Sequence, residues 1–176
     1  MVRAFLASMV VCFVSAQACD MPHECTAIGC IDSASFEIKT ADGTWPDGAY
    51  ALEVIADGIT HACSMTLPDD LPGSGTASSI PCDPPVGYMG VSLTADTACT
   101  EHGDEDSGSV TCTPIPDHYT LRGSVPGTPS TLGIRVTRDG GLLLEQTLPL
   151  HYTETQPNGP DCEPVCRQSS VDLVLP

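Results

Sequence analysis

The residues best equipped for chemistry in this chain are its ten cysteines. A thiolate binds soft metals or attacks electrophiles, whereas in an oxidising compartment thiols close in pairs to disulfides. Which of these applies depends on where the chain is sent. Cys12 sits inside the apolar run Ala4 to Val14, which follows Arg3 and is succeeded by Ser15-Ala16-Gln17-Ala18. Charge, apolar run and small residues in that order make a secretory signal, so residues 1–18 are expected to be removed. At 11 residues the run falls short of the ~17–25 that span a bilayer.

Cys19 stands directly after the expected cleavage point, where bacterial lipoproteins receive a diacylglycerol. The preceding tripeptide departs from the usual lipobox, which places Leu or Val where Ala16 stands. Parity favours the lipid: nine cysteines remain after the signal, and modifying Cys19 leaves an even eight. These are Cys25, Cys30, Cys63, Cys82, Cys99, Cys112, Cys162 and Cys166, and all are expected in disulfides. Cys99 and Cys112 bracket an acidic stretch and would close a 14-residue ring, for which chain entropy gives about 3 kcal/mol. Cys63 to Cys82 would tie a strand to the end of the loop after it. Cys25 and Cys30 lie near the start of the mature chain, Cys162 and Cys166 near its close, and crossed bridges would fasten both to one place. Spacing does not select among the roughly hundred connectivities that eight cysteines allow. Zinc on those four, at C-x4-C and C-x3-C spacing, is opposed by the oxidising address.

Other side chains offer weaker chemistry. Glu101, Asp104 and Asp106 fall in the densest acidic segment and could present oxygens to calcium. The EF-hand register fails, because a loop starting at Asp104 has Gly108 fifth and Ile115 twelfth, so a solvated loop is the expectation. His23, His61, His102, His118 and His151 are scattered, and no nucleophile elbow, zinc-protease helix or phosphate loop accompanies them. Trp45 lies just before a strand, either as a stacking surface for sugar or peptide or as a cap on the core. Nothing calls for a cofactor.

The framework that must position these residues reads as β structure. Ala34, Phe36 and Ile38 alternate with Ser35, Glu37 and Lys39, the period of a half-buried strand. Around Asp57-Gly58, a type I′ hairpin turn, pairing would set Ala56 opposite Ile59, Val54 opposite His61, Leu52 opposite Cys63 and Tyr50 opposite Met65. Around Asp139-Gly140-Gly141 a three-residue loop would oppose Val136 to Leu144 and Leu132 to Leu148. Further strands are expected at Tyr88 to Thr94, Tyr119 to Val125 and Val171 to Leu175, with a weaker one at Ser109 to Thr113. Proline or glycine interrupts every helical window. Seven or eight short strands predict an all-β, antiparallel β-sandwich of immunoglobulin or fibronectin-III type, with a small barrel as the other solution. The expected division is a signal over 1–18, a cysteine-containing segment over 19–32 and one sandwich domain over 33–176.

Charge narrows the partners. With 23 acidic and 6 basic side chains the formal charge is −17, which opposes binding to nucleic-acid phosphates and to anionic lipid headgroups. The run Gln156-Pro157-Asn158-Gly159-Pro160-Asp161-Cys162-Glu163-Pro164-Val165-Cys166-Arg167-Gln168, with Trp45-Pro46-Asp47-Gly48-Ala49-Tyr50 and the cysteine-rich start, resembles uncharacterised secreted or lipid-anchored proteins of myxobacteria and related high-G+C bacteria. That resemblance implies an exported address and an immunoglobulin-like sandwich, and it brings no activity. The expectation is a non-enzymatic binding or structural module, anchored to a membrane through Cys19 and meeting a protein or carbohydrate at the cell envelope. A small secreted hydrolase using loop carboxylates and a histidine, or a calcium-binding β-domain, is the alternative.

Overall fold

The computed structural model describes residues 29–72, 77–86, 90–102, 109–159 and 161–176. Two hairpins with left-handed turns build the centre of one sheet. β2 (Gly48–Ala56) and β3 (Ile59–Leu67) flank Asp57 and Gly58, whose φ angles of 49° and 78° are the pair that a type I′ turn requires. The register sets Ala56 opposite Ile59, Val54 opposite His61, Leu52 opposite Cys63 and Tyr50 opposite Met65, as polarity and turn chemistry predict. Tyr50, Leu52, Val54, Cys63 and Met65 are buried, while Ile59 at the turn is 55% exposed. The hairpin's apolar face therefore runs past the rim of the core.

β8 (Thr131–Arg138) and β9 (Gly141–Pro149) show the expected pairs Val136 with Leu144 and Leu132 with Leu148, but by another device. Asp139 and Gly140 both have positive φ, 50° and 78°, so the loop has two residues and Arg138 pairs Gly141. The register then shifts between Val136 and Thr137, and Leu143 is the extra residue of a β-bulge.

With β5 (Cys82–Asp83) these strands form one sheet in the order β5-β3-β2-β8-β9. The second sheet contains β1 (Ser33–Thr40), β4 (Ala77–Ile80), β6 (Val91–His102), β7 (Ser109–Pro126), β10 (Thr153–Thr155) and β11 (Cys166–Leu175), ordered β10-β11-β1-β7-β6-β4. One core fills the space between the sheets: Phe36, Ile38, Leu93, Leu121 and Leu175 from one face meet Leu52, Val54, Leu132, Ile134 and Val136 from the other. Folding buries alternate positions in each, which is what makes the architecture a sandwich.

The all-β sandwich class stands, with two differences in detail. Eleven strands are described instead of seven or eight, because short edge strands carry little alternation to read. The sandwich is also not wholly antiparallel: β1 and β11 pair in parallel, Phe36 opposite Val171 and Ile38 opposite Leu173. The chain visits both sheets before returning from the end at which it began.

β6 and β7 run beyond the sandwich. Regular pairing from Val91 with Gly123 to Ala95 with Tyr119 gives way, across an irregularity at Asp96, to Thr97 with Pro114 and on to His102 with Ser109. Asp96 is held there by the Thr120 hydroxyl, which donates to Oδ1 at 2.6 Å. Outside that kink, Thr97–Glu101 and Ser109–Pro114 are all exposed. The expected strands Ser109–Thr113 and Tyr119–Val125 are thus one 18-residue strand, half in the sandwich and half in a two-stranded arm.

Candidate functional site

The cysteines fall into three resolved pairs: Cys30 with Cys166, Cys63 with Cys82, and Cys99 with Cys112. Cys162 is disulfide-bonded as well. Cys63 and Cys82 face each other across β3 and β5, and Cys99 faces Cys112 across the arm. The first bridge joins the segment just before β1 to the start of β11 over 136 positions of sequence, the crossed arrangement of the two ends. Cys19 and Cys25 lie outside the described residues.

Of the calcium candidates, Asp104 and Asp106 lie outside the described residues, and Glu101 is exposed on the arm. Among the described residues no three His, Cys, Asp or Glu side chains converge to hold a metal. Trp45 is a core residue, 7% exposed; its Nε1 donates to the Tyr119 carbonyl at 2.7 Å and its ring meets Tyr50 edge-on at 5.4 Å. Its indole face is therefore not offered to a ligand. Burial also pushes the Tyr50 phenol above its ordinary value, and the Tyr50 hydroxyl donates to the Pro46 carbonyl at 2.7 Å.

Among the described side chains the histidines are not assembled; His23 and the side chain of His102 lie outside them. His61 Nδ1 lies 2.8 Å from the Pro84 carbonyl, and His118 packs on Gly43 beside an isolated bridge to Thr44. His151 is exposed just after β9, and β2 and β8 stand between β9 and the strand bearing His61, a gap of about 14 Å at ordinary strand spacing. None forms an ion pair with a carboxylate among the described residues.

What the fold does assemble is a groove of about 520 Å³ on the solvent face of the six-stranded sheet. Its floor is a row of small side chains. Parallel pairing sets Ser170 beside Ser35, antiparallel pairing sets Ser124 on the other side of Ser35, and Gly90 extends the row toward β6. One wall is the next row, where Asp172, Glu37, Arg122 and Ser92 stand side by side. Longer side chains rise beside hydroxymethyl groups, and the difference in height makes the depression.

Within the wall, Arg122 Nε lies 3.1 Å from Glu37 Oε1, and Lys39 Nζ lies 3.4 Å from Glu37 Oε2. Such half-exposed pairs contribute about 0–1 kcal/mol each, so they order the wall more than they stabilise the fold. Asp172 has no ion pair among the described residues. On the floor the Ser35 hydroxyl donates to the Ser169 carbonyl at 3.2 Å, while those of Ser124 and Ser170 have no protein partner among the described residues. The groove thus presents donors and acceptors at the spacing of the strands, about 4.8 Å, without an aromatic platform or a histidine.

These residues escaped the sequence reading because each looks like an ordinary outward position of its own strand. The signal that could have found them is a serine at the outward position of three strands, which becomes a row only once β1, β7 and β11 are known to be neighbours.

A second depression, about 270 Å³, lies at the end of the sandwich among Thr40, Asp42, Tyr50, Arg138 and Leu143. Its carboxylate is already engaged: the Thr44 backbone N–H donates to Asp42 Oδ1 at 3.0 Å and holds that group below the usual carboxylate value. Comparison with known proteins places no neighbour beside this arrangement: the chain matches no protein-family model, no curated protein and no solved structure.

Proposed function

We propose that this chain is an exported, disulfide-clamped binding module of the cell envelope, held to a membrane by lipid on Cys19, whose serine-floored groove takes an uncharged hydrogen-bonding ligand of carbohydrate type. The observation that carries the reading is the row Ser170, Ser35 and Ser124, two of whose hydroxyls are free among the described residues. Hydroxyls repeated at strand spacing match a chain of sugar hydroxyls, and the strongly acidic surface disfavours polyanions. Binding is the reading the groove supports, because Glu37, one of its two carboxylates, is engaged by Arg122 and Lys39. Net gains of about 0.5–1.5 kcal/mol per hydrogen bond, with no ring to stack on, point to a dissociation constant near the millimolar range.

Titration of the protein with chitohexaose, followed by amide chemical shifts, tests the groove. Changes confined to the strands around Ser35, Arg122, Ser124 and Ser170, and lost in Ser124→Phe, are expected; changes elsewhere, or none, overturn the site. Intact mass tests the address. The expected species begins at Cys19, carries a diacylglycerol and lacks eight protons for four disulfides, and an unmodified Cys19 overturns the anchor.

A further inference from the structure

We propose that β9 is a self-association edge, through which two copies of the chain pair antiparallel about a two-fold axis at Gln146 and join their five-stranded sheets into one of ten. The proposal is independent of the groove.

It begins from the way the sheet edges end. Each sheet exposes two edges, and three of the four edge strands are short: β5 has two residues, β10 three and β4 four. Brevity is one of the devices that keep edges from recruiting strands, along with lysine and proline. β9 is nine residues long, has no lysine or arginine, and has its one proline at the last position, Pro149. No described strand pairs with its outer side, so alternate backbone N–H and C=O groups point away from β8. Its leucines are also incompletely covered. Leu142 is 55% exposed, and Leu143, Leu144 and Leu148 pack on the core while remaining partly open.

The occupant follows from register. Leu144 and Leu148 face inward, opposite Val136 and Leu132, and Gln146 lies between them opposite Ile134. Antiparallel self-pairing centred on Gln146 sets Leu144 against Leu148 of the other copy twice, Gln146 against Gln146, and Glu145 against Thr147. Moving the centre to Glu145 would place two carboxylates directly opposite each other, which is destabilising, and would set each Leu144 against a glutamine. One register therefore matches apolar to apolar, amide to amide, and separates the only charges on the strand. Such an isologous pairing closes at two copies.

Net charge supplies the discriminating readout. Each copy carries −17, so repulsion opposes the dimer and salt relieves it. Sedimentation of the oxidised full-length chain is expected to give a dimer, at twice the monomer mass, whose dissociation constant falls as salt is raised from about 0.05 to about 0.5 M. Gln146→Lys, at an exposed position, sets two ammonium groups together on the axis and should weaken association by roughly tenfold or more. Gln146→Cys places thiols within disulfide reach across the axis and should give a covalent dimer on mild oxidation, well above the yield of Thr147→Cys. A monomer at all salt concentrations, a dimer indifferent to Gln146→Lys, or equal cross-linking at both positions overturns the proposal.

Discussion

At Gly123 the inner face of β7 carries no side chain because the ring of Phe36, its partner on β1, occupies that space: a Cβ there would overlap the ring at Cζ. Phe36 is 1% exposed, so the ring has nowhere to retreat. Gly123→Ala is therefore expected to destabilise the fold by about 1–3 kcal/mol, the usual cost of overfilling a packed core, as read from the midpoint of urea unfolding. A loss below about 0.5 kcal/mol would mean that the ring can move aside. Ser124, next in sequence, faces the opposite way into the groove, so adjacent residues answer to different demands. Alternation made Phe36 legible as core. That Gly123 serves it was not legible, since a lone glycine in a strand pattern signals a bulge equally well.

Among the elements, the arm formed by the outer halves of β6 and β7 differs most from the rest. It buries nothing over Thr97–Glu101 and Ser109–Pro114, so it has cross-strand pairs and the Cys99–Cys112 bridge but no core beneath it. Replacing both cysteines by serine should release the arm without loosening the sandwich. Unfolded chains gain freedom when a 14-residue ring is opened, but the native arm gains it too, and the two nearly cancel. Amides at Thr100 and Thr111 are expected to exchange rapidly while those of Leu52 and Ile134 stay protected, with global stability changed by less than about 1 kcal/mol. Loss of several kcal/mol would show the arm to be integral. Local order also decided what could be read from sequence. Asp57-Gly58 and Asp139-Gly140 announced both hairpins because turn and strands are contiguous, whereas Pro114, Pro116 and Asp117 disguised one long strand as two. The parallel pairing of β1 with β11 joins segments that no local pattern connects, and the serine row depends on it.

Taken whole, the molecule has two unlike poles. Ser33 pairs Pro126 and Ile38 pairs Leu121, so the arm, which precedes Leu121, leaves the sandwich at the end away from the Cys30–Cys166 bridge. A tether upstream of Gly29 would therefore hold one pole while the arm stands at the other. The same bridge sets the response to mechanical load. Force applied at Gly29 and Pro176 crosses from Cys30 to Cys166 through sulfur and continues along β11, which is already extended. Every residue between those cysteines, with nearly all of the core, lies off the line of tension. Pulled from these points the oxidised protein is close to inextensible. Once reduction has opened this bridge and that of Cys162, unfolding under load can add the 136 positions of sequence between Cys30 and Cys166 to the loaded path, roughly 450 Å at full extension. In mechanical terms, this small acidic domain is a rigid link whose length is released by reduction.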